Sequence, residues 1–283
     1  METHSAQIRG YRTGIDVSAD NGRIDWEKVR EAGISFAMLR AGYGRTPDSM
    51  FARNAAMCGQ LGIPFGAYWF SYAMTPEQAA REARVCLDTI LPYKIDYPVA
   101  FDFEYDSVAH AERNGVFITM ALASELALAF LRTVRAAGRR DVNYSNPNFL
   151  SRYFNRTVQD EFSLWLAQWQ VVPELDRPPR SCEIWQYSST GRIPGITGNV
   201  DLDVCYVDYL ENEEDGVMTG EQIYNALNEY LESKGVPPWA EKELAEAVKL
   251  GITDGSGPAR LTPRYETAIM AARAAKSPDQ SPE

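Results

Sequence analysis

Over the first 145 residues, short runs of apolar, β-branched and aromatic residues alternate with longer amphipathic stretches. The short runs predict strands over 14–18, 34–43, 65–72, 98–104 and 142–145. The amphipathic stretches predict helices over 26–32, 49–61, 76–91 and 116–137. Strands separated by helical patterns imply βαβ units and a parallel sheet. The punctuation agrees. Gly33, Gly62 and Gly138 stand where helices should stop. Thr75-Pro76-Glu77-Gln78 has the form of a helix start, with a capping hydroxyl and Pro at the first helical position.

The pattern then changes. Three further strand candidates, 164–169, 183–187 and 200–206, are joined by loops rich in Pro, Gly and Ser, with no long amphipathic helix between them. Eight strands with about five crossover helices predict an α/β fold, an irregular TIM-like (β/α)5(β)3 barrel that lacks its outer helices in the last part. An open doubly wound sheet is the competing architecture. The barrel is expected to occupy residues 1–210. The charged run Glu211-Asn-Glu-Glu-Asp-Gly216 predicts a linker over 211–218. A small C-terminal helical domain over 219–283 follows, with helices at 219–233, 238–250 and near 263–275.

Charge and composition narrow the partners. A formal net charge of −11 argues against nucleic acid and against anionic membrane surfaces, which both want clustered Lys and Arg. A polymer gripped through sugar rings and aromatic faces is not excluded. Cys58, Cys86, Cys182 and Cys205 are far apart in apolar surroundings, and His4 and His110 are the only histidines. That set does not make a zinc site, so buried free thiols, no metal and no cofactor are expected. The first residues show neither a basic segment nor an apolar run, and nothing later suits a membrane span. The expectation is a protein made in a host cytoplasm without a signal peptide and without membrane insertion.

The chemistry concentrates in Tyr97-Pro-Val-Ala-Phe-Asp-Phe-Glu104. It reads as a buried strand ending in two acids, Asp102 and Glu104, on one face and roughly 6–7 Å apart at Cα. Two carboxyls held that close, against Phe101 and Phe103, should not both ionise easily, and the raised pKa keeps a proton donor available near neutral pH. In a barrel the reacting groups gather where strands end. Asp16 ends the first strand, and Asp201 and Asp203 lie on the last. The first and last strands of a closed barrel are neighbours, so Asp16 and Asp201 should meet. Asp25 is better read as a helix cap. Tyr43, Tyr68, Tyr144, Trp169 and Trp185 fall in or at the ends of predicted strands and are candidates for stacking on sugars, although half or more of the aromatics must fill the core.

Six motifs occur in order: Gly14-Ile-Asp-Val-Ser18, Gly22-x-Ile-Asp-Trp26, Phe101-Asp-Phe-Glu104, Leu164-Trp-Leu-Ala-x-Trp169, Ile184-Trp-Gln-Tyr-Ser188 and Val200-Asp-Leu-Asp203. Together they resemble glycoside hydrolase family 25, the lysozymes (N-acetylmuramidases) of phages, bacteria and some fungi, over roughly residues 10–210. The resemblance implies a β/α barrel and cleavage of the β-1,4 bond between N-acetylmuramic acid and N-acetylglucosamine, with net retention, in peptidoglycan glycan strands. It makes Glu104 the general acid and Asp102 an orienting or charge-stabilising group, with Asp16 and Asp201 completing the cleft. Tyr68 and Tyr144 become substrate contacts, and Trp169, Trp185, Asp203 and Tyr43 are further substrate-binding candidates. Direct attack by an Asp and attack by the substrate's N-acetyl group both stay open, with the second favoured. Tyr144-Ser-Asn-Pro departs from the Tyr-Thr-Gly-like turn often found in relatives.

Taken with the expected lack of a signal peptide, the resemblance leads to the expectation of a phage or prophage endolysin lysing Gram-positive bacteria, released through a holin-type pore or on lysis. The segment 239–275 is similar to one S-layer-homology unit and to helical tails of some lysins, which implies contact with a cell-wall polymer or self-association. Two competing readings are a non-catalytic wall-glycan-binding protein on the same barrel and a chitinase-like barrel. The second lacks support because Ala100 stands where a further acid would be needed.

Overall fold

A computed structural model of the chain describes residues 10–170, 173–210 and 235–253, with positions 224, 227, 228, 231, 267 and 271. The chain divides into two compact units, Met1–Glu211 and Asn212–Glu283.

The first unit is a closed barrel. Its strands are β1 (Arg12–Val17), β2 (Phe36–Tyr43), β4 (Phe65–Phe70), β5 (Val99–Asp102), β6 (Asp141–Ser145), β7 (Ser163–Ala167), β8 (Ile184–Gly191) and β9 (Val200–Cys205). A two-residue strand β3 (Thr46–Pro47) folds back on the end of β2. Neighbours follow the order β1-β9-β8-β7-β6-β5-β4-β2, and pairing of β1 with β2 closes the ring. This is the TIM-like α/β barrel expected from the pattern, and not an open sheet. The sequence did not foreshadow one reversal. Strands β1, β2, β4, β5, β6, β7 and β8 run parallel round the ring, whereas β9 is antiparallel to both β8 and β1.

Helices α1 (Trp26–Glu31), α2 (Phe51–Leu61), α3 (Pro76–Ile90) and α5 (Met120–Ala136) stand where amphipathic periodicity placed them. The first of these starts as expected, with the Asp25 side chain accepting the Lys28 N–H. Helix α5 begins four residues late because Thr119 caps it, its hydroxyl accepting the Leu122 N–H. Three helices had not been expected: α4 (Tyr105–Arg113), α6 (Pro147–Tyr153) and α7 (Arg156–Glu161). Each is too short to display a period, so only the caps mark them. Asn146 and Asn155 side chains accept the N–H of Phe149 and Val158.

Alternation along the strands sorts the core into two faces. Outward residues such as Ile15, Leu39, Trp69, Val99 and Phe101 pack against the helices in one large cluster. Inward residues Phe36, Met38, Val142, Ile184 and Cys205 fill the barrel. Phe36 stacks on Tyr97 at 4.6 Å between ring centres, and Tyr97 meets Tyr209 edge-on at 5.0 Å. Gly14 is needed here. A Cβ at that position would lie 2.4 Å from the Phe36 ring. Where helices are missing, the outer face of β7–β9 is covered instead by side chains, with Leu166, Trp185 and Val204 packed under Tyr11, Leu175 and Tyr206. All four cysteines are free thiols, and three of them are buried.

In the second unit, α8 (Pro238–Lys249) matches an expected helix and starts with Pro. It buries no residue, and Trp239 is exposed. The expected linker 211–218 lies outside the described residues, as do most positions of the helices expected at 219–233 and 263–275. Among the described residues no helix is long and apolar enough to cross a membrane.

Candidate active site

The interior changes from apolar to acidic along the barrel axis. The same alternation that turns Phe36, Val142 and Ile184 inward brings Asp16, Arg40, Tyr68, Asp102, Tyr144 and Gln186 inward at the other end of their strands. Because β9 is reversed, its first residues reach this rim rather than its last. Asp201 pairs in register with Asp16, and Asp203 with Gly14. Two acid groups result.

The first is Asp16, Asp201 and Asp203. Gln186 Nε2 donates to Asp16 Oδ2 at 2.7 Å, and Trp165 Nε1 donates to Asp203 Oδ1 at 2.8 Å. Asp203 Oδ2 is buried and meets no donor from elsewhere in the protein. Asp16 lies within hydrogen-bonding reach of both other acids. Burial, followed by the charges of Asp203 and Asp201, holds the Asp16 carboxyl well above the ordinary range. Burial likewise pushes Asp203 up to about 7 and Asp201 up to about 6. Two buried carboxyls, Asp16 and Asp203, beside the half-buried Asp201 favour retention of a proton within the group.

The second group is Asp102 and Glu104. Strand β5 stops at Asp102, two residues earlier than expected, and Glu104 is the residue that caps α4. Its backbone N–H donates to Ser107 Oγ at 3.1 Å. Phe101 and Phe103 do not wall the acids, in contrast to the expectation from sequence. They stack on each other at 5.8 Å and face Phe130 and Phe149 in the helical layer. The two carboxyls nevertheless contact each other. Burial first, then the Glu104 charge, raises Asp102 well above the carboxylate range, and burial also raises Glu104. Asp102 is only 5% exposed, and its Oδ1 has no partner. Glu104 is half-buried and so has access to the rim.

Two tyrosines tie the groups together. Tyr144 feels the charges of Glu104, Asp102, Asp16 and Asp201, and its hydroxyl donates to Gln186 Oε1 at 3.2 Å. Tyr68 feels Asp16, Asp102 and Asp201, and its ring meets Trp165 edge-on. Residues 16, 102, 104 and 201 therefore converge on one end of the barrel.

The remaining candidates separate. Trp169 is 61% exposed, and its indole N–H donates to the same Gln186 Oε1 at 3.0 Å, which hangs an open aromatic face beside the acids. Tyr43 lies exposed past the end of the inward Arg40, whose guanidinium is 5.5 Å from its ring. Trp185 is not at the site. It is fully buried on the outer face of β8 and donates to the Gln168 carbonyl at 2.8 Å.

Sequence reasoning also missed two residues. Gln186 joins Asp16, Tyr144 and Trp169, and Arg40 is held by Asp48 at 2.7 Å and Asp20 at 2.9 Å. Their signal was available, since each is a polar residue on the inward face of a strand that is otherwise apolar. Among the described residues no cluster of His, Cys, Asp and Glu has the arrangement of a metal site.

Residues 15–196 match the model of the family described as Glycosyl hydrolases family 25. YegX of Escherichia coli O157:H7, described as uncharacterized, is 31% identical over 203 residues, covering 68% of each chain. Lysozyme M1 of Streptomyces globisporus is 27% identical over 215 residues, covering 66% of this chain and 65% of its own. Among solved structures, the modular autolysin LytC of Streptococcus pneumoniae, in complex with a synthetic peptidoglycan ligand, superposes with a TM-score of 0.59 at 27% identity. That match covers 69% of this chain and 46% of LytC, so the chain spans less than half of that autolysin. With its barrel, its acidic rim and most of its length matched by the family, this chain belongs to glycosyl hydrolase family 25.

Proposed function

We propose that the chain is a muramidase that cleaves the β-1,4 bond between N-acetylmuramic acid and N-acetylglucosamine in peptidoglycan, with net retention. One observation carries the reading. A half-buried carboxyl, Glu104, touches a deeply buried one, Asp102, at a rim lined by Tyr144, Tyr68 and further acids. The pair titrates as a unit, and access to the rim decides the roles. Glu104 is the one that reaches a glycosidic oxygen. It gives its proton to that oxygen as the bond to the anomeric carbon breaks. The carbonyl oxygen of the substrate's own N-acetyl group forms the new bond to that carbon, and Asp102, whose Oδ1 is unpaired, accepts the N-acetyl N–H. Glu104, now a carboxylate, takes a proton from the water that opens the resulting ring, and retention follows from two inversions. Asp16, Asp201 and Asp203 hold the charge and shape of the cleft, and Tyr68, Tyr144, Trp169 and Tyr43 contact sugar.

In this reading the unit Met1–Glu211 is catalytic, and the unit Asn212–Glu283, with Trp239 exposed, contacts wall polymer or a second copy. Its further extension, a phage endolysin attacking Gram-positive walls from within, draws on the family resemblance and is tested by expression with and without a holin-type pore. The test of the reaction is the sugar at the new reducing end when purified peptidoglycan is digested. N-acetylmuramic acid is expected. N-acetylglucosamine ends, or binding to walls without new ends, would contradict the proposal.

A further inference from the structure

A cavity of about 560 Å³ opens on the side of β2 and α3, and of its lining only Tyr43 has a role above. Tyr43, Tyr72 and His110 form its walls, and Met74 and Val85 give it apolar surface. Its Tyr72 wall lies near Asp102. The Tyr72 hydroxyl feels the charge of Asp102, the neighbouring Ser71 N–H donates to the Asp102 carbonyl at 2.8 Å, and Tyr43 lies against Arg40. Its volume is that of a pocket for a small ligand or a few residues of peptide.

Its polar groups are specific. Arg45 and Arg81 are exposed at the cavity and form no ion pair among the described residues. Two guanidiniums line one cavity in a chain of net charge −11, and Arg45 also acts on the Glu82 carboxyl there. They match the planar fork of a carboxylate. Glu82, only 6% exposed, also lines the cavity. Its Oε1 accepts the Tyr72 N–H at 3.3 Å, while its Oε2 is buried with no donor. Burial pushes this carboxyl up to about 7.

We infer that this cavity holds the acidic stem peptide carried by the muramic acid sugar, with its carboxylates on Arg45 and Arg81 and its aliphatic parts on the Tyr72 wall. The inference rests on the muramidase reading, since only a substrate with a peptide branch next to the scissile bond would place one here.

The experiment compares two substrates, glycan strands bearing acidic stem peptides and the same strands stripped by an amidase. Each is digested by the full chain and by the double variant Arg45→Ala, Arg81→Ala. Both arginines are exposed, so the variant should fold, which circular dichroism checks. A parallel titration measures binding of the free stem tetrapeptide by calorimetry. The full chain should prefer peptide-bearing strands, and the double variant should raise KM on them roughly tenfold or more while leaving stripped strands unchanged. Tetrapeptide binding should be lost with the arginines. If both proteins cleave both substrates equally and the tetrapeptide does not bind, the peptide site is wrong and the muramidase reading stands. If neither substrate is cleaved, the muramidase reading falls, and the peptide site falls with it.

Discussion

Gln186 is the residue on which the groove's geometry turns, because one side-chain amide serves three partners. Its Nε2 holds Asp16, and its Oε1 takes both the Tyr144 hydroxyl and the Trp169 indole. Gln186→Leu keeps the size but orphans those groups. The expected cost is about 1–3 kcal/mol in stability for each buried group left unpaired, with a fall in kcat that exceeds the rise in KM. Denaturant melts and steady-state kinetics on the same samples check both. The two tryptophans separate in the opposite sense. Trp185→Ala should cost roughly 3–5 kcal/mol, since it empties a packed outer core. Trp169→Ala should leave the melting midpoint nearly unchanged and weaken substrate binding. The acids were legible in the sequence because two carboxyls spaced i, i+2 at the end of an apolar run are rare and chemically loaded. Trp185 was not separable from Trp169, because alternation gives a face without saying which face is the cleft. A lone Gln in an aromatic strand carries no chemistry of its own until its three partners are in view.

At the scale of elements, the strands were legible and the short helices were not. A strand of five apolar residues between Gly and Pro announces itself, whereas α6 and α7, of seven and six residues, complete at most two turns. The reversal of β9 was hidden for a related reason. Its sequence alternates in the same way in either direction, and only the loop 192–199 decides which way the chain enters the gap. The consequence is functional, because an antiparallel β9 presents Asp201 at the rim where a parallel strand would present Cys205. The close approach of β1 to the inward Phe36 gives a stability test. Gly14→Ala puts a methyl group 2.4 Å from that ring, and overpacking of this kind costs about 1–3 kcal/mol. A lowered denaturation midpoint with an unchanged m-value is the expected result.

At the scale of the whole molecule, the acidic rim trades stability for a reserve of protons. Asp201 and Asp203 would ionise near the ordinary 3.8 in the unfolded chain, but ionise in the fold only near about 6 and about 7. Between those values the folded state holds more protons than the unfolded one, so stability falls as pH rises. Their contribution is complete below about pH 4 and is lost by about pH 7. Melting temperature should therefore decline across that window, and Asp203→Asn should flatten the decline. A melting temperature that rises from pH 4 to pH 7 would contradict the assignment of these groups. The barrel, its closure and the convergence of its acids on one rim could be argued from hydrophobic pattern and carboxylate spacing. The cavity beside Tyr72 could not, because Arg45, Arg81 and Glu82 come together only through the packing of α3 on the ends of β2 and β4.

The most direct measurement is the rate at which Glu104→Gln releases reducing ends from purified peptidoglycan, with its fold and its affinity for glycan strands checked alongside. Loss of the proton donor should lower the rate by roughly 10²–10⁴-fold while leaving the melting temperature and binding intact. A variant that cleaves at the rate of the native chain would show that the hydrogen reaching the glycosidic oxygen comes from another group.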